Sequence, residues 1–512
     1  MIKGIRQLNN MDDLASVSKD NKIKNDVSFI RDVAKIVGGT TLAQALSILA
    51  TPIVTRLYGP DAYGLSVLFN SILVIIGVII CLRYELAIML PKKDEEAANL
   101  LAASFISISL ISILLIPIIW LCGPALTGML NSPILGNYLW LLPIAVSANG
   151  AFLAFNYWNS RTRQFGRLSI ARVVSAVVMV SIQLGAGLAG HATGGSLITA
   201  AIVGSAISAI VLGVLIWHEN RRLLQKSISL QQISAGVKRY KKFPIFDTWS
   251  ALLNTFCWQL PPFLLSYYFT STIVGYYGLG LMVLQLPVNL IGGAIGQVFF
   301  QRVSVAKFEG NLAPLVEDTV LNLAKLSIFP ALLLSVAGKE TFVVVFGARW
   351  AEAGVFAQIL AVWIFFSFIT SPISTLFSVL EKQGSSLIFN IILLPVRVGA
   401  LVIGGLLGNA RIAIALFSIT GVIVYIILLI WIMAKAKASV GKVSKRSLKY
   451  LAYSLLLLIP ILSGKLIFNL SPQILFLGEA ITSLAYYYML AKANKTILMP
   501  IQSILRIIPN MK

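Results

Sequence analysis

The feature that most limits this chain is a succession of apolar stretches, each about as long as a bilayer is thick. A hydrocarbon core of ~30 Å takes roughly 20 helical residues to cross. Fourteen segments reach or approach that length: 36–57, 63–82, 98–121, 137–158, 168–189, 195–217, 245–268, 273–300, 319–337, 353–380, 385–407, 410–434, 448–468 and 473–491. Barrel strands would alternate in hydrophobicity and these runs do not, so helices are the expected spans. Composition agrees. The chain is 58% hydrophobic and 12% charged, whereas soluble domains sit at about 45–50% and about 25%. A surplus of that size has no room in a soluble core. The expected fold class is an all-α polytopic membrane protein with about 14 transmembrane helices.

A formal net charge of +22 would suggest nucleic acid in a soluble protein. The positions of the 41 basic residues argue otherwise. With the N-terminus inside, 33 of them fall in the N-terminal arm, the even-numbered connections and the C-tail, against five on the other side (Arg56, Lys339, Arg349, Arg411 and Lys465). That asymmetry is the positive-inside pattern, so both termini are expected in the cytoplasm and the basic balance faces anionic lipid headgroups. No nucleic-acid partner is expected. Connections on the opposite side are short, the longest being about 122–136 and 338–352. One tight hairpin is expected at Gly408-Asn409.

The longest internal connection divides the first twelve segments into six and six. The expected organisation is a cytoplasmic arm over 1–35, a first lobe over 36–217 (helices 1–6) and an inter-lobe loop over 218–244. A second lobe follows over 245–434 (helices 7–12), then a cytoplasmic loop over 435–447, helices 13–14 over 448–491 and a tail over 492–512. Six spans return the chain to its starting side, which makes the lobes a parallel pseudo-repeat. Segment 1 carries Thr40, Gln44, Ser47, Thr51 and Thr55, and segment 7 carries Asp247, Ser250, Asn254 and Trp258. Both spacings of three and four place the polar groups on one helix face. Single polar residues commonly glue membrane helices together. A stripe along the first helix of each half points further, to a water-facing wall around a central cavity.

Several motifs, in order, carry a resemblance. Gly39-Thr-Thr-Leu-Ala-Gln-Ala is followed by Pro52-Ile-Val-Thr-Arg-Leu-Tyr-Gly-Pro and Arg83-Tyr-Glu-Leu-Ala-Ile-Met-Leu-Pro-Lys. Asn156-Tyr-Trp-Asn-Ser-Arg, Tyr240-Lys-Lys-Phe-Pro and Gly296-Gln-Val-Phe-Phe-Gln-Arg complete the set. Over about residues 36–310 the chain resembles the Wzx-type oligosaccharide flippases. These polysaccharide-biosynthesis proteins belong to the multidrug/oligosaccharidyl-lipid/polysaccharide (MOP) exporter superfamily. The resemblance implies two six-helix lobes rocking in alternating access, with two extra C-terminal helices. It implies transfer of an undecaprenyl-diphosphate-linked oligosaccharide, the repeat unit of an O-antigen, capsule or exopolysaccharide, between leaflets of a bacterial inner membrane. Glycosyltransferases and a polysaccharide polymerase are the implied partners.

A diphosphate crossing an apolar slab needs fixed positive charge, and a charge at mid-span costs roughly 2.5–3.5 kcal/mol on insertion scales. Arg397 lies near the middle of segment 11 and is the first candidate for the diphosphate or glycan path, with Asn390 seven residues earlier on the same face. Gln44 and Asn254 are candidates from the two stripes. Arg172 is a further candidate, although it and Lys325 lie close enough to a span end to snorkel to the headgroups. Arg83 is expected in the cytoplasmic mouth on a helix continuing through Leu86 to Leu90, and Glu85 is expected to pair with a neighbouring helix, for example at Arg172. Asp247 is the candidate for coupling to a proton or sodium gradient, against a plain helix-start carboxylate. Glu479 is read as a helix-pairing residue.

No Gly-rich phosphate loop, metal cluster or catalytic carboxylate pair is apparent, so neither a cofactor nor a catalytic residue is expected. Two other readings stand beside the flippase. One is a cation-coupled drug antiporter of the same superfamily, which would carry more acids at cavity depth. The other is a membrane-embedded polysaccharide polymerase or ligase, which would need a large outer loop.

Overall fold

The computed structural model describes residues 39–493; the expected N-terminal arm and nearly all of the tail lie outside that range. The described chain is helical throughout, joined by short turns. The first six long helices are α1 (39–57), α2 (Pro60–Ile79), α3 (Asp94–Met129), α4 (Leu142–Arg161), α5 (Phe165–Leu188) and α6 (Gly194–Ser227). An amphipathic helix at Leu230–Arg239 leads to α7 (Thr248–Tyr268). Next, α8 (Ser271–Pro287) passes through a π-helical turn at Val288–Gly292 into a helix at Gly293–Glu309. The rest are α9 (Leu312–Phe346), α10 (Ala351–Ile373), α11 (Gln383–Leu406), α12 (Ala410–Lys435), α13 (Val440–Leu466) and α14 (Pro472–Ala493).

Among the described residues, ten helices are long and apolar enough to cross a membrane, and eleven when α4 and the bent Pro133–Leu139 segment before it are counted as one span. Of the fourteen expected spans, ten or eleven thus meet that criterion among the described residues, and the stretch Ile391–Leu406 of α11 is an apolar helix besides. Neither α1 nor α7 is among them. These are the two on which the sequence places its polar stripes. Such groups belong where a helix faces protein or water, because lipid offers them no partners.

Odd-numbered helices start at one end of the bundle, where Lys and Arg concentrate, and even-numbered helices start at the other, where connections are tight. These are the basic end and the turn end below. The turns have local causes. Pro60 opens α2 at a position needing no N–H donor. Thr193 and Ser196 form a reciprocal capping box on α6. Gly408 takes a φ of +67°, which a side chain would disfavour, and the Asn409 side chain caps α12 by accepting from the amides of Arg411 and Ile412. Two turns are tighter than expected. α3 runs on to Met129 through Pro117 and Pro124, and α9 runs on to Phe346, so the irregular stretches at the turn end are only a few residues long.

α1–α6 pack mainly on one another and α7–α12 likewise, with α5 against α6 and α9 against α10 among the closest pairs. The two groups meet along α2, which packs on α8 and α7. α13 and α14 dock on the outside of α9. There the Thr341 hydroxyl donates to Glu479 at 2.6 Å and Lys465 pairs with Glu340 at 3.0 Å, giving Glu479 the helix-pairing role expected of it. Lys325 does not snorkel. It lies thirteen residues into α9, 6% exposed, with its ammonium 5.2 Å from the Tyr450 ring centre. The lipid-facing flanks of α3, α13 and α14 expose large aliphatic side chains such as Ile113, Leu456 and Leu484, as an apolar solvent allows.

Candidate functional site

Between the two groups of helices lies a cavity of about 1100 Å³. That volume stands at the top of the range for small-molecule pockets, about 300–1,000 Å³. α1 contributes Thr40, Gln44, Ser47 and Thr51, the stripe expected from its spacing. Thr55 departs from that stripe. It is buried, and its hydroxyl donates to the Pro52 carbonyl. Facing α1 are Ser66 and Asn70 of α2, Ser175 and Gln183 of α5, and Gln285 and Asn289 at the end of α8. On α7 the wall is made by Trp258, Gln259 and Pro262. Asn254 is exposed one turn before Trp258 and is not among the residues lining this cavity.

The wall is thus rich in amides and hydroxyls, groups that both donate and accept hydrogen bonds. Arg172 of α5 is the one charged residue among the described residues lining it, and no carboxylate lines it. Its Nη1 donates to the Thr40 hydroxyl at 2.5 Å, which holds the guanidinium on the wall between α1 and α5. The residues that sequence reasoning passed over carried the same signal as α1. Ser175, Met179 and Gln183 follow the candidate Arg172 at intervals of three and four, and Met282, Gln285 and Asn289 recur in the same way.

At the turn end the lobes are sealed in layers. Gly64 of α2 and Gly275 of α8 let two backbones touch: a Cβ on Gly64 would come within 1.7 Å of the Ser271 carbonyl oxygen, and one on Gly275 within 1.9 Å of that of Pro60. Around this contact Arg56 donates to the Val344 carbonyl at 2.9 Å and the Trp350 indole to the Thr55 carbonyl at 2.8 Å. Asn131 donates to the Tyr267 carbonyl at 2.6 Å, and the Ser266 hydroxyl donates to the Leu130 carbonyl.

At the basic end an ion pair spans the lobes. Arg83 Nε donates to Asp247 Oδ2 at 2.8 Å. The helix expected to continue through Arg83 breaks instead: Leu82 and Arg83 take φ values of +49° and +63°, between α2 and a four-residue helix at Tyr84–Ala87. Such left-handed residues cost of order 1–3 kcal/mol each and persist only where surroundings enforce them. Glu85 is 1% exposed, with one oxygen 3.7 Å from Arg83 Nη1 and the other without a partner. Its expected pairing with Arg172 is therefore corrected: Arg172 is held by Thr40, and Glu85 sits behind Arg83. Burial raises the Glu85 carboxyl to about 7; Asp247 adds to the rise while Arg83 opposes it. Asp247 itself opens α7 from a π-helical turn at Phe243–Asp247 and is occupied by Arg83.

Arg397 is not on the cavity wall. It is 2% exposed, and its guanidinium carbon lies 4.6, 5.3 and 5.5 Å from the ring centres of Trp258, Trp363 and Phe417. Asn390 shares α11 with it, but the Asn390 side chain is outside the described residues.

A membrane bundle of this kind, two six-helix groups around a polar cavity with a further pair docked outside, is the transporter fold of the MOP superfamily. Among solved structures the chain is similar to the lipid II flippase MurJ in an inward closed conformation, with a TM-score of 0.69 at 14% identity over 89% of this chain and 99% of that one. An inward-facing multidrug resistance MATE family transporter of the MOP superfamily aligns with a TM-score of 0.63, 16% identity, over 78% of this chain and 96% of its own. A MOP superfamily transporter from Pyrococcus furiosus, described by a reversed polarity of its binding pocket, gives 0.53 at 14% identity over 79% and 95%. No curated protein sequence matches. The profile of the polysaccharide biosynthesis protein family matches residues 53–355, and the chain belongs to that family.

Proposed function

We propose that this protein is a flippase that carries an undecaprenyl-diphosphate-linked oligosaccharide from the cytoplasmic to the outer leaflet of a bacterial inner membrane. The observation that carries the proposal is the cavity: amides and hydroxyls on every wall, one arginine and no carboxylate among the described lining residues. Asn, Gln and Ser side chains suit the hydroxyl groups of a glycan, and Arg172 suits the diphosphate, since arginine binds phosphate through a planar fork of donors. Membership of a polysaccharide biosynthesis family and the likeness to a lipid II flippase support the same substrate class.

In this reading the basic end faces the cytoplasm and the sealed turn end faces outward, following the positive-inside pattern. The lobes, 36–217 and 245–434, rock about the linker at 218–244. A diphosphate arriving at the mouth competes with Asp247 for Arg83, passes to Arg172, and the lobes then close behind it and part at the turn end. Asp247 acts as the acceptor of that latch, and Glu85 is the group through which protons reach it. Glycosyltransferases supply the substrate, and a polymerase or ligase consumes it.

A drug antiporter is the competing reading, favoured by the likeness to MATE transporters. A cavity that attracts organic cations needs negative charge, and this one has a cation. The test is leaflet transfer of a fluorescent undecaprenyl-diphosphate-linked glycan in proteoliposomes, with Arg172→Ala alongside. Transfer by the wild type and its loss in the variant is the expected result. No glycan transfer, together with gradient-driven efflux of an organic cation such as ethidium, would replace the flippase with the antiporter.

A further inference from the structure

Arg397 poses a physical problem. Its Nε and Nη2 are buried without any hydrogen-bond partner, and no carboxylate pairs with it among the described residues. A buried charge costs several kcal/mol even after relaxation unless it is paired and hydrogen-bonded. Three aromatic faces return part of this through cation–π attraction. They offer π density but accept no N–H bond in the guanidinium plane. The site is therefore built for a cation and lacks only an acceptor.

The rings are not equivalent. Trp363 and Phe417 are 1% exposed and meet edge to face at 5.1 Å, with the Trp363 indole against Gly421, where a Cβ would come within 2.6 Å of the ring. They form a fixed back wall. Trp258 is 38% exposed, lines the cavity and lies closest to the guanidinium. One ring thus separates an unpaired cation from the central cavity. The helix that bears it carries Pro261 and Pro262 one turn on. Proline removes backbone hydrogen bonds within a helix and allows local bending at that point.

Depth adds a further relation. Arg172 lies seven residues into α5, about 10 Å from the basic end at 1.5 Å per residue, and Arg397 lies fourteen residues into α11, about 21 Å. The two cations stand on opposite lobes at successive depths.

We propose that Arg397 is a concealed anion site, uncovered when the Trp258 indole swings aside, which receives the diphosphate of the substrate after Arg172. The proposal rests on the flippase reading for the identity of the anion. The cover itself is a property of this chain and is tested separately. With the indole in place the deep cation attracts nothing from the mouth. Once the indole moves, the guanidinium fork acquires the acceptor it lacks, and the cost of burying it is offset by charge-assisted hydrogen bonds.

The experiment is chemical modification of arginine in the full-length protein in nanodiscs, using water-soluble p-hydroxyphenylglyoxal with peptide mass analysis, and inorganic pyrophosphate as the anion probe. In the wild type Arg172 is modified and Arg397 is protected. In Trp258→Ala, Arg397 is modified at least about tenfold faster, the change expected from loss of a cover worth about 1.4 kcal/mol. Trp258→Phe retains protection. Pyrophosphate slows modification of Arg397 in Trp258→Ala. An unchanged Arg172 rate shows that the variant is folded. Continued protection of Arg397 in a folded Trp258→Ala overturns the cover, and modification that pyrophosphate does not slow overturns the anion site. Failure of glycan transfer in the wild type, with the modification pattern intact, would overturn the flippase reading and leave the cover standing.

Discussion

The two lobes are joined by different chemistry at the two ends of the bundle. At the turn end two glycines bring backbones into contact, and hydrogen bonds from Arg56, Trp350, Asn131 and Ser266 surround them. At the basic end an ion pair, Arg83–Asp247, joins the lobes, with side chains 25% and 45% exposed. Of these bonds, those from Trp350 and Ser266 are buried, and close packing around buried hydrogen bonds is strong, short-ranged and cooperative. A half-exposed ion pair is worth little by itself and is readily displaced by a competing anion. For the proposed flippase the difference assigns roles: the turn end would be a seal that must be broken as a unit, and the basic end a latch that a phosphate can open.

The largest effect is expected at the seal. Gly64→Leu places a side chain against the Ser271 carbonyl, where space is already taken. Overpacking costs about 1–3 kcal/mol where neighbours can shift, and here the neighbour is backbone. The turn end should then stay open. A thiol reagent added from that side should label Ser66→Cys on the cavity wall, and transport should cease. Retained transport with Ser66→Cys still protected would show that the two backbones do not form the seal.

Arg172→Ala comes next. A hydrogen bond to a charged group is worth about 1.5–3 kcal/mol, so glycan transfer should fall by about ten- to a hundredfold, read as initial rate in proteoliposomes. Arg172→Lys should restore part of it, since the charge remains while the fork is lost. A variant with wild-type rates would move the phosphate site elsewhere.

Opening the latch should matter less. Asp247→Asn removes a partly exposed pair worth about 0.2–1 kcal/mol, a shift of about 1.4- to fivefold in the ratio of molecules closed to open at the basic end. Spin-label distances across the mouth would measure that ratio. The smallest effect concerns pH. Glu85 belongs to the same lobe as Arg83, and its ionised form repels Asp247 across the gap, so the latch should loosen as pH rises through about 7. Its folded value lies above the ordinary 4.5, so ionisation opposes folding. Stability is greatest below the ordinary value, declines as pH rises towards 7 and is level above it. Glu85→Gln should remove both slopes in the same distance measurement and in thermal unfolding.

Much of the wall was legible in the sequence because helical periodicity reports phase. Thr40, Gln44, Ser47 and Thr51 recur at the spacing of one face, and they share the cavity. On α7 the same logic slipped by a fraction of a turn: the stripe through Asn254 reaches the cavity only at Trp258, and Gln259 beside it lies on the wall. A stripe of four residues fixes a helix face no better than that. The hairpin at Gly408-Asn409 was legible because turn chemistry is local. The extent of α9 was not, because Glu340 reads as a loop residue by hydropathy and is in fact paired with Lys465 inside the bundle. Pro124 likewise reads as a turn, yet α3 continues through it, as proline permits in a membrane helix. Arg83 and Asp247 were each singled out, but their pairing joins residues 164 positions apart, and periodicity says nothing about partners at that distance. The aromatic cover of Arg397 stayed hidden for the same reason, since its rings come from three helices.

In the proposed flippase the seal and the latch open alternately, which distances across both ends of one molecule would reveal. Spin labels at His191 and Lys339 would report the turn end, and labels at Arg163 and Lys437 the basic end, all four being exposed. They would be placed in a chain with Cys81, Cys122 and Cys257 replaced. On addition of an undecaprenyl-diphosphate-linked glycan, the turn-end distance should lengthen while the basic-end distance shortens. Both distances lengthening together, or neither changing while glycan is transferred, would contradict it.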